Sequence, residues 1–138
     1  MANWYGTARS NYFLVKDDQK FLEWASTLPI DAEKCNSGED EGKWMIYSTE
    51  QDSGGWPSYR YDEESEEYIE VDWPSVLSAH LQENEVAILM EAGAEKLRYV
   101  TGVATAIAWT GEVISLSLSD IYRQASEGFG VPVTMAEY

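Results

Sequence analysis

The fold is decided by residues 85–118, which read EVAILMEAGAEKLRYVTGVATAIAWTGEVISLSL. Glu85 to Ala92 is a mostly apolar run of the kind found in strands inside a sheet. Leu97 to Trp109 and Glu112 to Leu118 are rich in branched and apolar residues, and Thr110-Gly111 between them marks a turn. This stretch therefore predicts an interior strand followed by a β-hairpin.

The remaining sequence alternates strand and helix patterns. Strands are predicted over Ser10 to Val15, residues 31–35 and Lys43 to Ser48, and the segment Asp62 to Asp72 ends in a strand-like YIEV. Helices are predicted after the N-cap residues Asp17 or Asp18, Asp72 and Ser119, ending near Leu28, Leu81 and Ser126. In the first helix, Phe21, Leu22, Ala25 and Leu28 fall on one face. The order predicts a single α+β domain over residues 1–138, with a mixed or mainly antiparallel sheet and about three helices packed on one face.

The charge of the chain is strongly negative. Against 25 acidic residues there are 9 basic ones, which gives a net charge of −16, whereas solubility of a small domain requires only about 2–8 charges. Direct binding to nucleic acid or to an anionic membrane is not expected, because those partners need Lys and Arg to neutralise phosphate. The complementary partner is a basic protein surface.

Cysteine content and the N-terminal sequence indicate the compartment. Cys35 is the single cysteine, so no intramolecular disulfide can form. The opening MANWYGTARSNYF lacks the pattern of a signal peptide, and no run reaches the roughly 20 apolar residues of a membrane span. A cytoplasmic protein is expected.

The sequence contains no pattern that supports a reaction class. His80 is the only histidine and lies in a helical run, and Cys35 lies in a polar segment before a turn, so neither has a catalytic motif around it. One Cys and one His cannot supply a zinc site, and neither a calcium loop nor a phosphate-binding loop is present. The carboxylates are numerous, and without their positions in space no two of them can be assigned as a catalytic acid and base. No enzyme activity, metal or cofactor is expected.

The acidic residues are concentrated in one part of the chain. Between Glu39 and Asp72 there are twelve acidic and two basic residues, which account for −10 of the total −16. If Glu64 to Asp72 is extended, Glu64, Glu66, Tyr68, Glu70 and Asp72 project from one side at multiples of about 6.6 Å, and Ile69 and Val71 face the core. Such a row can imitate a nucleic-acid backbone. The alternative is a solvated face that only aids solubility.

Aromatic residues next to the acidic run favour a binding surface. We expect a loop over Thr49 to Tyr61. Its segment SGGWPSYRY contains residue types that are enriched at the centres of protein interfaces. Trp56 is equally compatible with a place in the core. The predicted partner-binding residues are Trp56, Tyr59, Tyr61, Asp62, Glu63, Glu64, Glu66, Glu67, Glu70 and Asp72.

Two stretches carry a resemblance to known proteins. They are WYGTARSNYFLVKD, and EVAILMEAGAEKLRYVTGVATAI with the following EVISLSLSDIY. Together they resemble small acidic proteins carried by bacterial phages, plasmids and other mobile elements, over about half of the chain. The resemblance implies the genomic company of counter-defence genes, such as anti-CRISPR and antirestriction proteins, several of which are acidic DNA mimics. No site residue can be transferred from it.

These features favour an acidic inhibitor that binds the basic nucleic-acid-binding surface of a bacterial defence effector. An immunity protein or antitoxin that neutralises a basic toxin relies on the same physics and is the alternative among binding proteins. A small enzyme or ligand-binding domain with incidental acidity is the alternative from another class, and it requires a pocket with convergent polar groups away from the acidic run.

Overall fold

The computed structural model describes residues 4–51 and 53–137. In these residues the chain forms three helices, α1 (Asp18–Ala25), α2 (Trp73–His80) and α3 (Asp120–Phe129). Its eight strands are β1 (Trp4–Ser10), β2 (Ile30–Lys34), β3 (Trp44–Ser48), β4 (Tyr59–Asp62), β5 (Glu67–Glu70), β6 (Val86–Glu95), β7 (Tyr99–Ala108) and β8 (Val113–Ser117).

Six of the strands form one antiparallel sheet in the order β2-β3-β1-β6-β7-β8. Strand β6 lies inside this sheet, and β7 and β8 form the hairpin that follows it, as the sequence predicts. Strands β4 and β5 pair only with each other, in a separate two-stranded sheet. The predicted α+β class, with a mainly antiparallel sheet and three helices, is confirmed. The expectation that the helices pack together on one face is wrong for α3, which has no buried residue and contributes none to the core.

The core lies between one face of the large sheet and the helices α1 and α2. Asp17 accepts a hydrogen bond from Lys20 N and begins α1, and Asp72 accepts one from Ser75 N and begins α2. Leu22 is exposed, unlike the other residues of the predicted apolar face of α1. The buried apolar cluster is Phe13, Val15, Phe21, Ala25, Leu28, Ile30, Trp44, Ile46, Leu77, Leu81, Ala87, Leu89 and Ile107.

The first strand lies earlier in the chain than predicted, because β1 ends where Ser10 to Val15 was expected to begin. At Asn11 the backbone N still donates to Ile88 O, but the other ladder bonds to β6 are made by the Asn11 side chain. Its Oδ1 accepts from Ile88 N at 2.8 Å and its Nδ2 donates to Val86 O at 3.1 Å. The backbone then turns away from β6, and Phe13 exchanges two hydrogen bonds with Trp44. The prediction followed the apolar residues, which here pack in the core outside the strand.

The region 49–72 also differs from its prediction. Tyr59–Asp62 forms β4 where only a loop was expected, and the extended segment is limited to Glu67–Glu70. Residues 63–66 form a turn instead, so Glu64 and Glu66 do not continue a straight row with Glu70. Ile69 is exposed and only Val71 packs against the core.

Among residues 4–51 and 53–137, no helix has the length and apolar character needed to cross a membrane.

Candidate functional site: the acidic hairpin

Strands β4 and β5 with their turn form a hairpin that we call the acidic hairpin, residues 59–70. Tyr59 lies opposite Glu70, Tyr61 opposite Tyr68, and Arg60 opposite Ile69. Because side chains alternate along a strand, Tyr59, Tyr61 and Tyr68 share one face. The rings of Tyr61 and Tyr68 meet edge to face, with centroids 5.3 Å apart. All three tyrosines are exposed, so the hairpin presents an aromatic face to solvent.

Carboxylates surround this aromatic face. Glu70 lies on it, and Glu63, Glu64 and Glu66 lie in the turn at its end. The opposite face holds Asp62 and Glu67, which face each other across the two strands, together with Arg60, the only basic residue of the hairpin. Like charges placed directly opposite each other destabilise a strand pair. The hairpin therefore keeps a charge arrangement that does not favour its own stability.

The side chain of Asp62, which belongs to the acidic run, holds the turn of the hairpin. Ser65 donates to Asp62 Oδ2 through its Oγ, at 2.8 Å, and through its backbone N, at 3.3 Å. The Ser65 hydroxyl is the main cause that lowers the pKa of Asp62 below its usual value, and the charge of Arg60 adds to it. Glu66 has a φ of 56°, a left-handed conformation that glycine adopts more easily. Asp62 thus shapes the turn as well as contributing charge.

The base of the hairpin is fixed to the core by tryptophans. Trp73, at the start of α2, donates from Nε1 to Pro57 O at 2.9 Å. Its ring contacts those of Trp24 and Trp56 edge to face, at centroid distances of 5.7 and 5.4 Å. Val71 N donates to Ser58 O at 2.8 Å and closes the base of the hairpin. One end of the hairpin is therefore rigidly anchored, and its charged turn projects away from the core.

A groove of about 510 Å³ runs beside the base of the hairpin. Tyr59 and Tyr68 form one side, and Trp56 and Pro57 are among its other lining residues. Glu50 also lines it, and its carboxylate accepts from Ser53 N at 2.9 Å and from Ser53 Oγ at 2.6 Å. Aromatic rings beside a carboxylate form an environment suited to a Lys or Arg side chain.

The structure brings most of the predicted binding residues together. Tyr59, Tyr61 and the acidic residues from Asp62 to Glu70 all belong to the hairpin. Asp72 lies beyond it and caps α2. Trp56 is half-buried against the core and reaches the site only as part of the groove. Asp52, which belongs to the acidic run in the sequence, lies outside the described residues.

Tyr68 and Glu50 line the groove but were not among the predicted binding residues. Tyr68 appeared in the sequence only as a member of a carboxylate row, and its pairing with Tyr61 depends on the hairpin register. Glu50 reaches the groove because the chain folds back between β3 and β4. The three tyrosines are visible in the sequence, but only the pairing of β4 with β5 shows that they share one face.

Neither His80 nor Cys35 lines this groove. The His80 ring packs against Trp24 and Phe21, at 5.4 and 5.7 Å, and burial is the main cause that lowers its pKa, with a further contribution from Lys16. Cys35 Sγ lies 3.1 Å from Ser37 O. In the part of the chain that the structure describes, no cluster of three or more His, Cys, Asp or Glu side chains is arranged to hold a metal ion.

Comparison with protein-family models, curated proteins and solved structures found no match to this chain.

Proposed function

We propose that this protein binds another protein rather than catalysing a reaction, and that the acidic hairpin occupies a basic nucleic-acid-binding surface on its partner. One observation carries the proposal. The hairpin joins an exposed aromatic face to a rim of carboxylates and holds both on a rigid base.

The two components of the hairpin have different roles in binding. The carboxylates attract a basic surface at long range and raise the rate of association. The tyrosines supply contact area, since large rings with few rotatable bonds lose little entropy on binding. A Lys or Arg of the partner that enters the groove would pair with Glu50 and lie against Tyr59 or Tyr68.

A bacterial defence effector is the partner class that we favour. A nuclease or CRISPR effector holds nucleic acid in a basic groove, which is the surface an acidic hairpin complements. The resemblance of the chain to acidic proteins of phages and plasmids supports the same class. The regular row of carboxylates expected from the sequence is not part of the proposal, because residues 63–66 form a turn.

The test is affinity capture from a bacterial lysate at low salt, followed by measurement of the dissociation constant of each captured protein. One variant reverses Glu63, Glu64, Glu66 and Glu67 to Lys in the hairpin. Its control reverses the same number of exposed acids elsewhere, namely Glu33, Glu83, Glu112 and Glu127. Both variants change the net charge equally.

The hairpin variant should bind about 100-fold more weakly, because its contacts become repulsive. The control variant should mainly associate more slowly, since only the long-range field is reduced. Equal losses in both variants, each abolished to the same degree by salt, would show that the hairpin is only a solvated face. Capture of proteins without a nucleic-acid-binding surface would also contradict the proposal, and a toxin among them would favour an immunity protein.

A further inference from the structure

The large sheet has a second face, opposite α1 and α2, that carries no charge over three neighbouring strands. In β6 and β7 the residues Ala87, Leu89 and Ile107 point into the core. Their sequence neighbours therefore point to the other side. This uncharged face consists of Val86, Ile88, Met90, Ala92 and Ala94 of β6, Val100, Gly102, Ala104, Ala106 and Ala108 of β7, and Ile114, Leu116 and the adjoining Leu118.

The larger side chains of the uncharged face are open to solvent. Ile114 is 76% exposed, Leu116 59%, Val100 58%, Met90 57% and Leu118 54%. These five side chains alone expose roughly 500 Å², which is at the upper end of the largest apolar patch on a typical monomer. Exposed apolar patches of this size often mark an interaction surface.

The uncharged face contains both ridges and a trough. A trough of about 240 Å³ has small residues of β7, including Gly102 and Ala104, in its floor. Met90 lines one side and Leu116 and Leu118 the other. A Cβ on Gly102 would come within 2.9 Å of Leu118 Cδ1, so the glycine allows this leucine to lie close to the sheet. A row of large side chains beside a trough is a shape that can fit a copy of itself related by a two-fold axis.

We propose that this uncharged face binds the same face of a second copy of the chain, about a two-fold axis. The distribution of charge on the chain indicates which partner fits this face. A basic partner finds no carboxylate among the thirteen residues. Glu91 also borders the trough, but its carboxylate accepts from Trp56 N on the core side of the sheet. Two copies of a −16 chain can approach only where their own acids are absent. An isologous contact at this face keeps both acidic hairpins outside the interface.

The available area agrees with this occupant. A stable dimer buries about 800 Å² on each partner. The five large side chains supply more than half of it, and the exposed residues beside them, including Ala92 of β6 and Thr7 and Arg9 at the β1 end of the trough, enlarge the patch. Burial of apolar area is the main driving force for such contacts. The dimer should therefore tighten as salt rises, since salt screens the repulsion between the two chains.

Sedimentation velocity of the full chain over a range of concentrations tests this proposal. Leu116→Asp places a charge beside the trough, on the edge strand β8. Leu97→Asp places the same charge on an apolar residue that is 85% exposed in the turn between β6 and β7. The wild type and Leu97→Asp should sediment as dimers and Leu116→Asp as a monomer. Circular dichroism should be the same for all three, because both leucines are exposed within one chain.

A milder variant keeps the test valid if Leu116→Asp does not fold. Leu116→Ser should raise the dimer dissociation constant about tenfold, as expected for loss of a large apolar side chain that lines the trough. A wild-type chain that stays monomeric at all concentrations would overturn the proposal. A dimer that is equally stable in the wild type, Leu116→Ser and Leu97→Asp would place the interface elsewhere and would overturn it as well.

Discussion

The acidic hairpin and the uncharged face differ in every property that governs binding. The hairpin consists of two four-residue strands with a charged turn, and tryptophans fix only its base. The uncharged face lies on β6 and β7, which are interior strands of the large sheet, and on the edge strand β8. It consists of thirteen residues without a charge. The net charge of −16 is therefore unevenly distributed. One surface is suited to electrostatic capture and the other to apolar packing.

This difference gives the two surfaces opposite responses to salt. Contacts between the hairpin and a basic partner weaken as salt screens the attraction. Contacts at the uncharged face strengthen, because salt screens only the repulsion between two acidic chains. A salt titration therefore distinguishes which surface a given complex uses.

The largest expected effect comes from separating the hairpin from the core. Trp73→Ala removes the ring contacts with Trp24 and Trp56 and the hydrogen bond to Pro57 O. It should lower the free energy of unfolding by about 3 kcal/mol or more, measured by urea denaturation. Trp73→Phe keeps a ring and loses the hydrogen bond, which should cost about 1 kcal/mol beyond the loss of ring size.

Trp73→Ala also sharpens the comparison between the two surfaces. In conditions where the variant is still folded, partner binding should fall and self-association at the uncharged face should persist. Loss of both together at the same denaturant concentration would mean that the surfaces do not behave independently.

The turn of the hairpin offers a smaller effect of opposite sign. Glu66→Gly relieves a left-handed conformation and removes one repelling charge, so it should raise the free energy of unfolding by about 0.5–1 kcal/mol. Glu64→Gly removes the same charge from a neighbouring turn residue without a positive φ. The Glu64→Gly variant should not have a higher free energy of unfolding than the wild type. Equal stabilisation of the two variants would attribute the whole effect to charge.

The smallest effect concerns pH and leaves both surfaces unchanged. Burial against Trp24 and Phe21 lowers the pKa of His80 below the ordinary value of 6.5. The unfolded chain then binds the proton more readily, so stability is full above pH 6.5 and falls as the pH drops from there towards the lower pKa of the folded protein. His80→Gln should abolish this fall, measured by urea denaturation at several pH values. An unchanged pH profile in the variant would contradict the assignment.

The sequence predicted the elements whose signals are local. Asp17 and Asp72 are N-cap residues of α1 and α2, as expected, because a capping hydrogen bond joins residues three apart. The β7–β8 hairpin was visible from its turn at Thr110-Gly111. Ser119 precedes α3 as predicted, but its side chain makes no capping hydrogen bond, and Asp120 accepts from Ser117 N instead.

Elements that depend on distant contacts were not predicted. Strand β4 was missed because Tyr59–Asp62 is short and half polar, and its identity depends on pairing with β5. Ser10 to Val15 was taken for a strand because the sequence does not reveal that Asn11 bonds to β6. The uncharged face alternates visibly in residues 86–118, but only the position of α1 and α2 decides which side of the sheet stays open.

The candidate site was predicted in part, for the same reason. The acidic residues and the tyrosines are neighbours in the sequence, so their proximity could be inferred. The half-buried position of Trp56 follows from its contact with Trp73, seventeen residues away. The turn at residues 63–66 was not predicted because three of its four residues are glutamates. The turn signal of Asp62 and Ser65 was outweighed by the expectation of an extended row.

Competition for the partner's nucleic acid tests the role of the hairpin most directly. A labelled duplex or guide RNA is bound to the captured partner, and its fluorescence anisotropy is followed as this protein is added. The wild type and the Glu33, Glu83, Glu112 and Glu127 reversal should displace the nucleic acid, and the hairpin reversal should need about 100-fold more protein. A ternary complex, in which the nucleic acid stays bound while this protein also binds, would contradict the proposal that the hairpin occupies the nucleic-acid-binding surface.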